Sequence, residues 1–191
     1  MAGYSASPIP TPVIINHHQS YCIMQAPILG QHAPEFMKLF LSPLKQKLFL
    51  LSKLPAAWFM GVKMKTLTPE RSIVHLPFSW YSKNPFKSTY FAAQAAAAEL
   101  STGILANMLL YKGPKMSMLV TGMRAEYFKK VNKTARFVCE QGQDIKACMQ
   151  KAIDTGEGQR IEIVSEGYMT GPDGQDILVS RFYFEWSFKA K

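Results

Sequence analysis

One stretch constrains this chain more than any other: the apolar run from Thr89 to Leu110, rich in alanine and carrying a single acid, Glu99. Alanine favours helix and presents almost no side chain, so another backbone layer can approach it closely. A helix this apolar is either buried or spans a membrane. A carboxylate inside it is costly unless it has a partner or a task. The run therefore predicts a central helix wrapped by a sheet, with the polar loop Asn84-Pro85-Phe86-Lys87-Ser88 at its N-terminus and an acid partway along. Its length approaches that of a membrane span. Gln94, Glu99 and several Ser and Thr residues oppose that reading, as does the strand-like sequence downstream, and no integral membrane segment is expected.

The segments on either side define the rest of the layout. Pro34 to Lys53 repeats apolar residues at three- and four-residue steps, through Phe36, Leu39, Phe40, Leu44, Leu48 and Leu51. This predicts an amphipathic helix that Pro43 kinks or splits in two. With Lys38, Lys45, Lys47 and Lys53 it reads as a helix packed on its own domain or as one lying at a membrane surface. Ala57 to Lys65 and Ser72 to Pro77 read as strands joined by a turn at Thr68-Pro69-Glu70. Gly113-Pro114 ends the central helix. Lys115 to Val131 and Thr134 to Glu140 read as strands, and Gly142 to Thr155 as a short helix with an Ile145, Cys148, Met149, Ala152 stripe. Gln159 to Met169 and Ile177 to Lys189 form a hairpin across Gly171-Pro172-Asp173-Gly174, and one face of its last strand is aromatic. The βαβ crossovers are too few for a parallel sheet. The fold class is α+β, an antiparallel sheet curled around the alanine-rich helix.

Residues 1–33 contain no Lys, Arg, Asp or Glu, and Pro8, Pro10 and Pro12 deny a helix. They read as a tail or strap, with one short strand at Val13-Ile14-Ile15, set apart from a domain over residues 34–191. His17, His18 and Cys22 are of metal-ligand type, but no fourth ligand is nearby, so no metal site is expected. Three cysteines without a CxxC pair argue against a disulfide scaffold and for a reducing, cytoplasmic compartment. No secretory signal pattern is present. The net charge of +9 favours anionic partners. Its lysines are scattered and no nucleic-acid motif occurs, so nucleic acid is not expected. The group Lys129, Lys130 and Lys133 reads as a solvated basic face or as a binder of phosphates on a small carrier.

Asn84, the run to Glu99, the segments Arg124–Val131 and Thr134–Val138, the Asp173-Gly174 turn and the aromatic last strand together resemble the hotdog fold, in which a curved antiparallel sheet wraps a central helix. Within it the resemblance is to the phenylacetyl-CoA-thioesterase-like branch and its uncharacterised bacterial relatives, over about residues 35 to 190. That branch carries an Asn, a short loop, a His-Gly-Gly at the helix start and an acid farther along. Here Asn84 fits the Asn, Glu99 the acid, and Tyr90-Phe91-Ala92 stands in place of His-Gly-Gly. The resemblance implies a thioesterase-like hydrolase acting on an acyl-CoA or acyl-carrier thioester, with CoA part of the substrate and no separate cofactor. It implies a homodimer or dimer of dimers, with the site between two subunits.

In such a site Glu99 would be general base or nucleophile, its pKa raised by burial. Asn84 would orient the water or the thioester. The N–H groups around Ser88 to Tyr90 would polarise the carbonyl, and Ser88, Tyr90, Phe91 and Ala92 would line the substrate. Lys129, Lys130 and Lys133 would hold CoA phosphates. Each residue also has a plainer structural role open to it: Glu99 as a buried acid bonded to Tyr or Arg, Asn84 as a loop former before Pro85, Ser88 as an N-cap. The departure from His-Gly-Gly has a consequence too. Glycines let a thioester carbonyl reach backbone N–H groups, whereas Phe91 crowds that approach and Tyr90 replaces the histidine. A non-catalytic acyl- or lipid-binding protein on the same fold is therefore the alternative.

Overall fold

The computed structural model describes residues 28–191. The strand expected at Val13-Ile14-Ile15 and the group His17, His18 and Cys22 lie outside the described residues, as does most of the tail.

Three short helices come first: α1 (Ala33–Phe40), α2 (Pro43–Lys53) and α3 (Pro55–Phe59). Each carries proline in its first turn, where the missing N–H would be unsatisfied in any case. Pro43 thus separates two helices rather than kinking one. The strand expected from Ala57 is corrected: residues 55–59 are helical, and the strand starts only at Lys63. Pro55 fixes a helical φ, Ala56 and Ala57 favour helix, and Gly61 at φ +76° ends the turn. A short apolar run does not by itself distinguish the two states.

The strands β1 (Lys63–Leu67), β2 (Ser72–Leu76), β3 (Met116–Tyr127), β4 (Ala135–Cys139), β5 (Gln159–Thr170) and β6 (Asp176–Ala190) form one sheet in the order β1-β2-β4-β5-β6-β3. Every neighbouring pair is antiparallel. Register shifts interrupt β1–β2, β3–β6 near Val120/Gly122 and β5–β6 near Gly167/Tyr168. Such bulges bend strands and increase twist, which lets this sheet curl.

Helix α4 (Phe91–Leu110) lies in the curl, against β2, β4, β5 and β6. Its first half buries Ala93, Ala97 and Ala98, and its second half buries Ile104, Leu105 and Met108. Small side chains bring the sheet close at one end, and larger ones fill the space at the other. Phe182, Phe184, Trp186 and Phe188 of β6 all face inward, as period-two alternation requires. Fully burying a leucine- or phenylalanine-sized side chain contributes about 1.5–3 kcal/mol, so this shared core dominates stability. Buried serines inside are paired: the Ser101 and Ser165 hydroxyls lie 2.8 Å apart, and the Ser72 hydroxyl donates to the Ser101 carbonyl.

Helix α5 (Gly142–Thr155) packs Ile145, Met149 and Ala152 against α4, β5 and β6. The α1 segment closes the far end of α4, where Gly30 N–H donates to the Leu109 carbonyl at 2.8 Å and Lys112 pairs with Glu35 at 2.7 Å. Among the described residues no helix is long and apolar enough to cross a membrane.

Candidate functional site

The loop leading into α4 is held by its own hydrogen bonds. The Asn84 carboxamide oxygen accepts from Phe86 N–H at 3.0 Å, Ser88 N–H at 3.2 Å and the Ser88 hydroxyl at 3.2 Å. This is the side-chain mimicry of a turn that asparagine favours. It also holds Lys87 in the left-handed region, at φ 57°. The Ser82 hydroxyl is buried and donates to the Pro77 carbonyl at 2.6 Å.

The helix start offers donors, but not the ones the sequence indicated. The N–H groups of Ser88, Thr89 and Tyr90 are taken by Asn84 Oδ1, the Val131 carbonyl and the Ser82 carbonyl. The groups left over are those of Phe91 and Ala92, the first two of α4, which lack an acceptor one turn back. The rings of Tyr90 and Phe91 pack edge to face at 4.9 Å and are exposed beside them. A cleft of about 350 Å³ opens here, lined by Asn84, Ser88, Thr89, Phe91, Gln94, Lys129 and Lys130. Its wall includes one orphan: the Thr89 hydroxyl is buried and has no partner among the described residues. Gln94 braces the wall, donating to the Thr89 carbonyl at 3.3 Å and accepting from the Ser180 hydroxyl at 3.1 Å.

Glu99 sits two turns farther along α4. Ala92, Ala95, Ala96 and Glu99 are the half-covered residues of an otherwise buried stretch, and their spacing puts them on one strip of the helix. Among the described residues no hydrogen bond or ion pair engages the Glu99 carboxylate. Burial alone pushes its pKa above the usual 4.5, because desolvation disfavours the charged form. One turn on, Gly103 leaves the space this arrangement needs. A Cβ there would stand 3.2 Å from the Trp186 indole and 3.4 Å from Glu99 Oε1. The indole itself is fixed by its N–H, which donates to the Thr102 hydroxyl at 3.0 Å.

Glu99 lies eight positions beyond Phe91, a rise of about 12 Å. One chain therefore brings Asn84, Ser88, Phe91, Lys129 and Lys130 to a single cleft and keeps Glu99 away from it. Tyr90 and Ala92 flank that cleft, and Lys133 stands outside it on the exposed β3–β4 connection. Among the described residues no three His, Cys, Asp or Glu side chains cluster as a metal site would require.

The profile of one family, described as a domain of unknown function, DUF4442, matches residues 45–164, well over half of the chain. The chain belongs to the DUF4442 family. No curated protein matches it. Solved structures with the same architecture include a protein of unknown function from Chlorobaculum tepidum (TM-score 0.65, 15% identity, covering 78% of this chain and 94% of that one). A Pseudomonas aeruginosa protein of unknown function, called a probable thioesterase, gives TM-score 0.61 at 16% identity over 78% of this chain and 97% of its own. A thioesterase family protein from Silicibacter pomeroyi gives 0.57 at 11% over 78% and 98%. The fold of this DUF4442 chain is the hotdog fold that the sequence resemblance implied.

The sequence pattern assigns no site role to four residues of this region in the DUF4442 chain: Thr89, Gln94, Gly103 and Trp186. A signal for Gly103 was present, since an isolated glycine in a helical run marks close packing. The orphaned Thr89 hydroxyl had none, because its isolation depends on Val131 and the β3–β4 connection folding over it.

Proposed function

We propose that this protein hydrolyses an acyl-CoA or acyl-carrier thioester, with Glu99 as the general base or nucleophile. The observation that carries the reading is a carboxylate with no partner among the described residues, on a half-covered strip of the central helix, its pKa raised by burial. As a base, Glu99 takes a proton from water while the water oxygen attacks the thioester carbonyl. The resulting oxyanion is held by N–H donors at a helix start, and the C–S bond then breaks with the proton returning to the leaving thiolate. As a nucleophile, Glu99 attacks the carbonyl itself, thiolate leaves, and water cleaves the resulting anhydride.

The donors at Phe91 and Ala92 stand about 12 Å along the helix from the acid. One carbonyl cannot meet both within a single chain, so the reading requires a second copy, whose helix start is brought to this Glu99. The cleft with Lys129 and Lys130 then receives the phosphates of CoA, with Ser88 and Tyr90 at its edge. Asn84 acts here by shaping the loop that holds the helix start. The named thioesterases among the structural neighbours support this reading at the level of fold.

A second reading rests on Phe91 and Tyr90, whose rings occupy the approach to the helix start that small residues would leave open. On that reading the protein binds an acyl chain without cleaving it. Release of free CoA from a panel of short, long and aromatic acyl-CoAs decides between the two. Hydrolysis lost in Glu99→Gln supports the enzyme. Retention of an acyl ligand by wild type without turnover supports the binding protein and rejects the enzyme.

A further inference from the structure

Helix α2 has two apolar faces, and among the described residues only one is covered. Gln46 fixes which. Its side-chain amide donates to the Phe40 and Met64 carbonyls, both at 3.1 Å, and its oxygen accepts from Met64 N–H at 3.2 Å. Three hydrogen bonds on one buried amide lock α2 against the end of α1 and against β1. Gln46 and Leu50 therefore face the core. At 3.6 residues per turn, Leu44, Leu48 and Leu51 lie about half a turn away, and they point outward. Leu44 is 70% exposed and Leu48 is 58% exposed, with Leu41 and Leu51 continuing the stripe. Among the described residues nothing covers it. Phe59 of α3, edge-on to Trp58 at 5.0 Å, is also exposed nearby.

The segment that carries this stripe has charge of one sign. From Phe36 to Pro69 the chain has no Asp or Glu and six lysines: Lys38, Lys45, Lys47, Lys53, Lys63 and Lys65. Lys45 and Lys47 fall on opposite flanks of the leucines. A cleft of about 500 Å³ between α2, α3 and β1 gathers Lys47, Lys63 and Lys65 around a floor of Leu50, Trp58 and Val62.

We propose that this face is a docking surface for an anionic phospholipid membrane. The leucines enter the acyl boundary, and the lysines reach up along their own stems to the lipid phosphates. Three lysines around an apolar-floored cleft suit a phosphate-bearing headgroup. A second copy fits poorly, because a self-complementary contact would set lysine against lysine with no acid to answer it. Protein hot spots favour Trp, Tyr and Arg and are poor in Leu and Lys, which also points to lipid. The face is separate from α4 and from the cleft at its start, so the inference stands whether or not the protein cleaves thioesters.

The test is co-sedimentation of the full chain with neutral phosphatidylcholine vesicles and with vesicles containing about one-third phosphatidylglycerol. Binding to the anionic vesicles and not to the neutral ones is expected, weakening as salt screens the lysines. Leu44→Asp with Leu48→Asp lowers the affinity by roughly tenfold or more. Lys47→Glu with Lys63→Glu lowers it by a similar factor, at about fivefold per lysine. All four side chains are exposed, so thermal melts should match wild type and exclude misfolding as the cause. Absence of anionic-vesicle binding at low salt overturns the proposal, as does undiminished binding by the leucine variant. So does a wild-type dimer that falls to monomer in that variant, because the stripe would then belong to a second copy.

Discussion

Asn84 and Glu99 stand fifteen positions apart, and the fold treats them in opposite ways. The Asn84 oxygen accepts three hydrogen bonds and is consumed by its own loop. The Glu99 carboxylate has no protein partner among the described residues and lies over a glycine notch beside an indole. An oxygen so fully engaged defines shape. An unengaged one, kept where water is partly excluded, stores reactivity. On the function proposed above, chemistry falls to Glu99 and geometry to Asn84.

The largest expected effect breaks the pair at the acid. Glu99→Gln should lower acyl-CoA hydrolysis by about a hundredfold to ten-thousandfold, the usual contribution of a positioned acid–base group. Stability should move the other way. The folded-state pKa of Glu99 lies above its ordinary 4.5, so the folded chain binds this proton more tightly than the unfolded one. The resulting penalty grows as pH rises from 4.5 through the folded pKa and is absent below 4.5. Glu99→Gln should therefore melt higher than wild type near neutrality, with the difference vanishing in acid. Thermal melts at the two pH values check the sign.

A second change sharpens the contrast by moving the acid's seat. Gly103→Ala puts a methyl 3.2 Å from the indole and 3.4 Å from the carboxylate. Overpacking costs about 1–3 kcal/mol, offset in part by about 1 kcal/mol of helix propensity. Turnover should fall by about tenfold or more while stability changes by no more than about 2 kcal/mol. A loss of stability with full activity would show that the notch is packing alone.

The smallest effect is at the asparagine. Asn84→Ala leaves two backbone donors and a hydroxyl without their acceptor, a loss of about 1–2 kcal/mol in urea unfolding for groups that water can partly reach. Activity should decline by less than in Glu99→Gln, because the loop is loosened and no reacting group is removed. Loss of activity equal to that of the acid variant, without loss of stability, would move Asn84 into the chemistry.

Much of this was readable in the residues, unevenly. The central helix, the α5 boundaries and the β5–β6 hairpin follow from long periodic patterns and from Asp173-Gly174. The helix at Pro55–Phe59 was not legible, because five apolar residues fit either state until Pro55 and Gly61 are weighed. The acid was visible as an anomaly of composition. Its lack of a partner among the described residues was not, since that depends on which side chains of β6 reach α4. The free N–H groups at the helix start are those of Phe91 and Ala92 rather than of Ser88–Tyr90, because Asn84, Val131 and Ser82 claim the earlier ones only in the folded chain. Lys133 parts from Lys129 and Lys130 for a similar reason: proximity in sequence does not bring it to the same cleft.

The pH dependence of kcat/KM for acyl-CoA hydrolysis bears most directly on the role of Glu99. The wild-type rate should fall toward acid with an inflection above 4.5, the ordinary value for a glutamate, as the base takes up its proton. The residual rate of Glu99→Gln should lack that inflection. An identical profile in the variant, or an undiminished rate, would contradict the account.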